Sequence, residues 1–395
     1  MAYSLALVLI AGLAANRLFE KIKLPGLLGM LATGILLGPW CFDMLSPEFL
    51  AISDDFRKIA LIVILLRAGL GLGRDVLRKV GGPALRLSFI PCLLEGAMVI
   101  AASMLLLDFD FIQAGILAFI LAAVSPAVVV PAMLDYQERG IGGAKGIPTM
   151  ILAGASVDDI FSITLFSAFI GMYAGSKVSI GSIVLSTAVS IAAGILLGIA
   201  IGMLLVLLYR KMHTRDTRKV LLILGVAILM TGLEDILSGI IAVSSLLGIM
   251  TVGFILLEKM PDVSVRLASK FGKVWVFAEI LLFVLIGARV DISVVFDSGL
   301  KGLAIILSGL VFRSIGVALS LIGTELDQGE KIFCAISYIP KATVQAAIGA
   351  VPLAMGIPGG EIILAAAVLS IVVTAPLGAI GIRIGAANLL EKGIE

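Results

Sequence analysis

Asp158 and Asp159 stand side by side in Gly154-Ala155-Ser156-Val157-Asp158-Asp159, near the middle of a run from about Gly146 to Gly175 that carries no other charge. A bilayer takes roughly 20 apolar residues to cross, so the run is long enough to span one. An ionisable side chain at that depth costs about 2.5 kcal/mol or more and marks a functional site by default. Two neighbouring carboxylates cannot both ionise freely. On a helix they point about 100° apart, so they cannot face one cavity equally. One is expected to hold a cation and the other a partner.

Two further features bear on the same chemistry. Ser125-Pro126, with Pro131 beyond, and Pro340, with Pro352 beyond, interrupt two other apolar runs. Proline removes an N–H and clashes with the preceding turn, so helices should break at Pro126 and Pro340. Such breaks are tolerated within a membrane only where they line a cavity or are buried in protein. The carbonyls of Val124 and Ser125, with the hydroxyls of Ser125 and Ser156, could then complete an oxygen shell around a small cation held by a carboxylate. Glu95 and Arg313 lie at the centres of two more runs and are expected to form a buried ion pair. Lys341, directly after the second break, is expected near Asp158 or against the freed carbonyl ends.

These residues sit in a chain of 395 residues that is 60% hydrophobic and 14% charged, with a mean hydropathy of +1.18. That composition excludes a water-soluble globule and predicts an all-α polytopic membrane protein. A net charge of +2 gives no reason to expect nucleic acid. Cys41, Cys92 and Cys334 have neither disulfide-framework nor zinc-site spacing. The N-terminus lacks a basic leader and reads as a retained first helix.

Hydropathy predicts about thirteen spans, near 3–20, 25–39, 55–73, 83–107, 111–136, 146–174, 180–209, 217–238, 239–259, 265–290, 300–323, 328–353 and 360–386. Of 29 Lys and Arg, twenty fall on one side and five on the other, which places the C-terminus in the cytoplasm and the N-terminus outside. Arg17, Arg67, Arg313 and Lys341 remain within spans. Arg17, Arg67 and Glu279 read as structural charges, Glu234-Asp235 as a span end facing water, and His213 as a solvated residue of a basic loop. Gly194, Gly198 and Gly202 form a small-residue stripe suited to close packing or dimerisation.

Features recur seven spans apart: Arg67-Ala68-Gly69 with Gly287-Ala288-Arg289, Glu95 with Arg313, and the Pro126 break with the Pro340 break. An odd offset reverses orientation, so the pattern predicts two inverted six-helix repeats with two broken crossing helices. Matched interrupted spans in inverted repeats point to a secondary transporter with its site at the midplane. No paired nucleophile and base suggests an enzyme. The adjacent acids cannot face each other as an aspartyl protease requires, and Asp159 is followed by no third acid for a magnesium-dependent prenyl transferase.

Ile64 to Leu72, Ala123 to Pro131, the Ser156 to Asp159 stretch and Pro340-Lys341-Ala342-Thr343-Val344-Gln345-Ala346-Ala347 together resemble the NHA-type sodium/proton antiporters of the cation:proton antiporter superfamily, in the manner of solute carrier family 9 subfamily B. The resemblance runs from about Leu24 to the C-terminus. It implies the NhaA/NapA-like fold, a homodimer in membrane lipid and an elevator-type movement, while the compact loops fit a bacterial inner membrane. Residues 83–174 with 300–386 would be the ion-translocating core, and 1–79 with 180–290 the dimerisation scaffold. Asp159 matches the family's principal ion ligand, for sodium or lithium in exchange for protons, and Asp158 its neighbour. No cofactor is implied. Some antiporters carry lysine where this chain has Arg313, and arginine does not give up its proton. The expectation is therefore electroneutral exchange. A potassium/proton antiporter shares the same plan, and a passive cation channel is the remaining alternative.

Overall fold

The computed structural model describes residues 1–22, 24–174, 180–211, 215–237, 243–289 and 292–391, and every regular element among them is helical. Lys23, Lys177, His213 and Lys392, and the side chain of Asp235, lie outside the described residues. The chain opens with α1 (Ala2–Lys21), α2 (Gly26–Leu37), the short α3 (Pro47–Ala51), α4 (Ser53–Gly71), α5 (Arg74–Leu87) and α6 (Ile90–Leu106). It continues with α7 (Phe111–Leu121), α8 (Pro126–Glu138), α9 (Ile147–Tyr173), α10 (Ile180–Lys211), α11 (Asp216–Leu237) and α12 (Ser245–Lys259). The last third comprises α13 (Pro261–Ala288), α14 (Ile292–Ser320), α15 (Gln328–Ser337), α16 (Thr343–Ile348), α17 (Val351–Ala354) and α18 (Gly360–Leu389).

Helices dominate because a chain this apolar must satisfy its backbone groups internally. Among the described residues, eight helical segments are long and apolar enough to cross a membrane; they include Phe111–Glu138, Ile147–Tyr173, Gly299–Ser320 and Gly360–Leu389. Two boundaries differ from the sequence expectation. The 83–107 interval is two helices: the Ser88 hydroxyl donates back to Leu85 O at 2.6 Å as α5 ends, and Pro91 sits in the first turn of α6. In the 239–259 interval the described residues start at 243 and become helical at Ser245, the start of α12. In α14 the backbone leaves helical geometry at Gly299 (φ 50°), close to the expected start at 300.

The chain divides into two compact units. One comprises Met1–Asp54, Val80–Val178 and Ile280–Glu395. Its interior is built on α7, buried from Ala114 through Ala122 and flanked by Phe166 and Phe169 of α9. The rings of Phe119 and Phe169 stack at 5.7 Å. The loop that leads into α9 is fixed at both ends: Gly142 N donates to Glu391 O at 3.0 Å, and Lys145 pairs with the buried Glu330 at 2.8 Å. That bond raises the lysine's pKa.

The other unit comprises Asp55–Lys79 and Ser179–Glu279. Backbones approach closely here. A Cβ on Gly198 would stand 2.4 Å from Gly248 O, so the glycine stripe of α10 packs onto α12 of the same chain. Glu234 is half-buried rather than facing water, and accepts a hydrogen bond from the hydroxyl of Ser245, the buried first residue of α12.

Candidate ion site at two broken helices

Helix α7 stops at Leu121 and α8 begins at Pro126; α15 stops at Ser337 and α16 begins at Thr343. Pro126 occupies the first position of α8, where its missing N–H has no helical partner to lose. The intervening backbone must find other partners, and several of its groups can be traced. Ser125 N donates to Pro340 O at 2.8 Å, which joins the two breaks. The Gln345 side-chain amide donates to Ile120 O at 2.9 Å and Ala123 O at 3.1 Å. Val124 N donates to Asp158 Oδ2 at 2.8 Å, and Lys341 N to Thr374 Oγ1 at 2.9 Å. The carbonyl of Ala122 accepts from Arg313 Nη1.

The charges converge on the same place. Helix α14 lies close along α6, where Gly309 faces Val99 and Glu95 and Gly316 faces the Pro91 backbone. That contact sets Arg313 Nη1 at 2.7 Å from Glu95 Oε2. Arg313 Nη2 reaches across to Asp158 Oδ2 at 2.8 Å. Lys341 Nζ lies 2.6 Å from Glu95 Oε1. So Lys341 sits on Glu95, whereas Asp158 takes Arg313 and a backbone N–H. All four side chains are fully buried.

Asp159 differs from its neighbour. Among the described residues it enters no ion pair, and its buried Oδ1 has no hydrogen-bond partner. Other unpartnered buried atoms cluster at the breaks and on the helices beside them: Ser125 Oγ, Asp158 Oδ1, Arg313 Nε, Tyr338 OH, Thr343 Oγ1 and Gln345 Oε1. Buried polar atoms are normally paired, so such a concentration is what a site for a polar or charged ligand leaves behind. Ser156, expected in the oxygen shell, has its hydroxyl donating back to Leu152 O at 2.7 Å. Tyr338, Gln345, Thr343 and Thr374 were not singled out from the sequence. The one signal for Thr343 and Gln345 was their place in the run from Pro340 to Ala347.

Comparison with known proteins bears on the family and the fold. A family model described as "Sodium/hydrogen exchanger, transmembrane" matches residues 5–385. The chain is 34% identical to sodium/hydrogen exchanger 9B2 of Bison bison bison, covering 99% of this chain and 76% of that protein. It is 31% identical to sodium/hydrogen exchanger 9B1 of Homo sapiens, covering 99% and 78%. The fold is similar to that of the sodium proton antiporter MjNhaP1 from Methanocaldococcus jannaschii, with a TM-score of 0.79 at 19% identity over 98% of this chain and 97% of that one. The chain is therefore an integral membrane protein of the sodium/hydrogen exchanger family, a member of the cation:proton antiporters.

Proposed function

We propose that the chain exchanges Na+, or Li+, for H+ one for one, with Asp159 as the carboxylate that carries either. The observation that supports this reading most is the balance of buried charge. Glu95 and Asp158 are matched by Lys341 and Arg313 in hydrogen-bonded pairs, and Asp159 is the acid left over. With a proton or a sodium ion on Asp159 the buried set is neutral. With neither it carries a net negative charge, which is costly to move through apolar surroundings. Only the loaded site crosses, and exchange becomes obligatory.

Sodium is to be held by Asp159 with help from Ser125 and the carbonyls at Val124 and Ser125, and Ser156 borders the site on the same helix. Glu95, Arg313 and Lys341 support it by fixing Asp158 and the freed backbone. Because Arg313 keeps its proton, no second titrating step is expected, and the cycle is electroneutral. The chain is read as thirteen spans in two inverted repeats, with the C-terminus cytoplasmic. Residues 83–174 and 300–386 move as an elevator against a scaffold of 1–79 and 180–290 that dimerises.

Sodium-driven proton movement in proteoliposomes with an internal pH dye tests the assignment. Wild type should exchange and Asp159→Asn should not. An Asp159→Asn protein that still couples sodium to protons would refute it, and a response to potassium alone would move the substrate to K+.

A further inference from the structure

Arg313 is held on more sides than its charge requires. Its edge is fixed by Glu95, Asp158 and Ala122 O. Its face lies over the ring of Tyr338, with the guanidinium carbon 5.3 Å from the ring centroid. Tyr338 is fully buried and begins the second break. Its hydroxyl has no hydrogen-bond partner, so the ring and not the O–H anchors the contact. Room for that ring comes from Gly154, one turn before Asp158. A Cβ there would stand 2.3 Å from the Tyr338 hydroxyl oxygen, with Leu87 Cβ at 3.0 Å and Ala84 O at 3.2 Å.

We infer that Tyr338 is a positioning residue for cation exchange, whose ring holds Arg313 on Glu95 and Asp158 and so keeps the guanidinium off Asp159. The inference rests on the reading of Asp159 as the shared carboxylate. Asp158 and Asp159 are adjacent, and an arginine released from a face contact can turn its fork toward the next carboxylate. A guanidinium on Asp159 competes with sodium for the same oxygens. Lys341 does not take over the task, since it is engaged with Glu95.

The test measures sodium dependence of exchange in proteoliposomes beside wild type and Asp159→Asn, which examine the underlying reading separately. Loss of a desolvated cation–π contact corresponds to about a thirty-fold change. Tyr338→Leu should therefore raise the apparent KM for sodium about thirty-fold with kcat changed less than about two-fold. Tyr338→Phe keeps the ring and should keep the wild-type KM. Gly154→Ala, which pushes on the hydroxyl from the other helix, should raise KM as Tyr338→Leu does. Adding Tyr338→Phe to Gly154→Ala removes the clashing oxygen and should restore most of the loss. An unchanged KM in Tyr338→Leu, an equal loss in Tyr338→Phe, or a double variant no better than Gly154→Ala overturns the inference. If Tyr338→Leu does not fold, the Gly154 pair decides.

Discussion

Glu95 serves two bases at once, with Lys341 and Arg313 each within 2.7 Å of its carboxylate. Removing one member of a buried ion pair leaves an uncompensated charge and costs about 3–5 kcal/mol, whereas removing both partners is nearly neutral. Glu95→Gln should therefore lower the unfolding temperature in detergent, and Lys341→Met added to it should recover part of the loss. No recovery would mean that Lys341 is not held mainly by Glu95. At this scale the charged residues were legible in the sequence because each stands alone in an apolar run. Their partners were less so: Lys341 was expected near Asp158 or the carbonyl ends, and it is Arg313 that reaches Asp158. Tyr338 and Thr374 gave no signal, since an uncharged polar residue in a membrane span has many bland uses.

The broken helices show what a proline can and cannot announce. Pro126 and Pro340 mark both breaks, because a missing N–H and a steric clash are written in the residue itself. What closes the breaks is not local: Gln345 lies more than two hundred positions from the carbonyls it caps. Gln345→Leu would leave the carbonyls of Ile120 and Ala123 without that donor, at a cost of about 1–3 kcal/mol for a buried group left unsatisfied. Thermal unfolding should show this as a lowered midpoint, and an unchanged midpoint would mean that the amide is not what satisfies them. The separation of α5 from α6 was written locally, in Pro91 at the first turn of α6, but the apolar run continues across it, so hydropathy alone did not show it. The glycine stripe on α10 was legible as a packing surface, but sequence alone left packing and dimerisation open, and the partner found for it is α12.

For the whole molecule, the consequence of one shared carboxylate is competition. Raising the pH removes protons that compete with sodium, so the apparent KM for sodium should fall with rising pH, by up to about ten-fold per pH unit while the empty carboxylate is mostly protonated. A KM independent of pH across the active range would contradict the scheme. The same claim can be read without transport. Sodium binding followed by calorimetry in buffers of different ionisation enthalpy gives the number of protons released per ion. At a pH where the empty site is protonated, the wild type should release about one proton per sodium bound, and Asp159→Asn should neither bind sodium measurably nor release a proton. Sodium binding with no proton release, or the same release from Asp159→Asn, would contradict the account of Asp159 as the group that proton and sodium share.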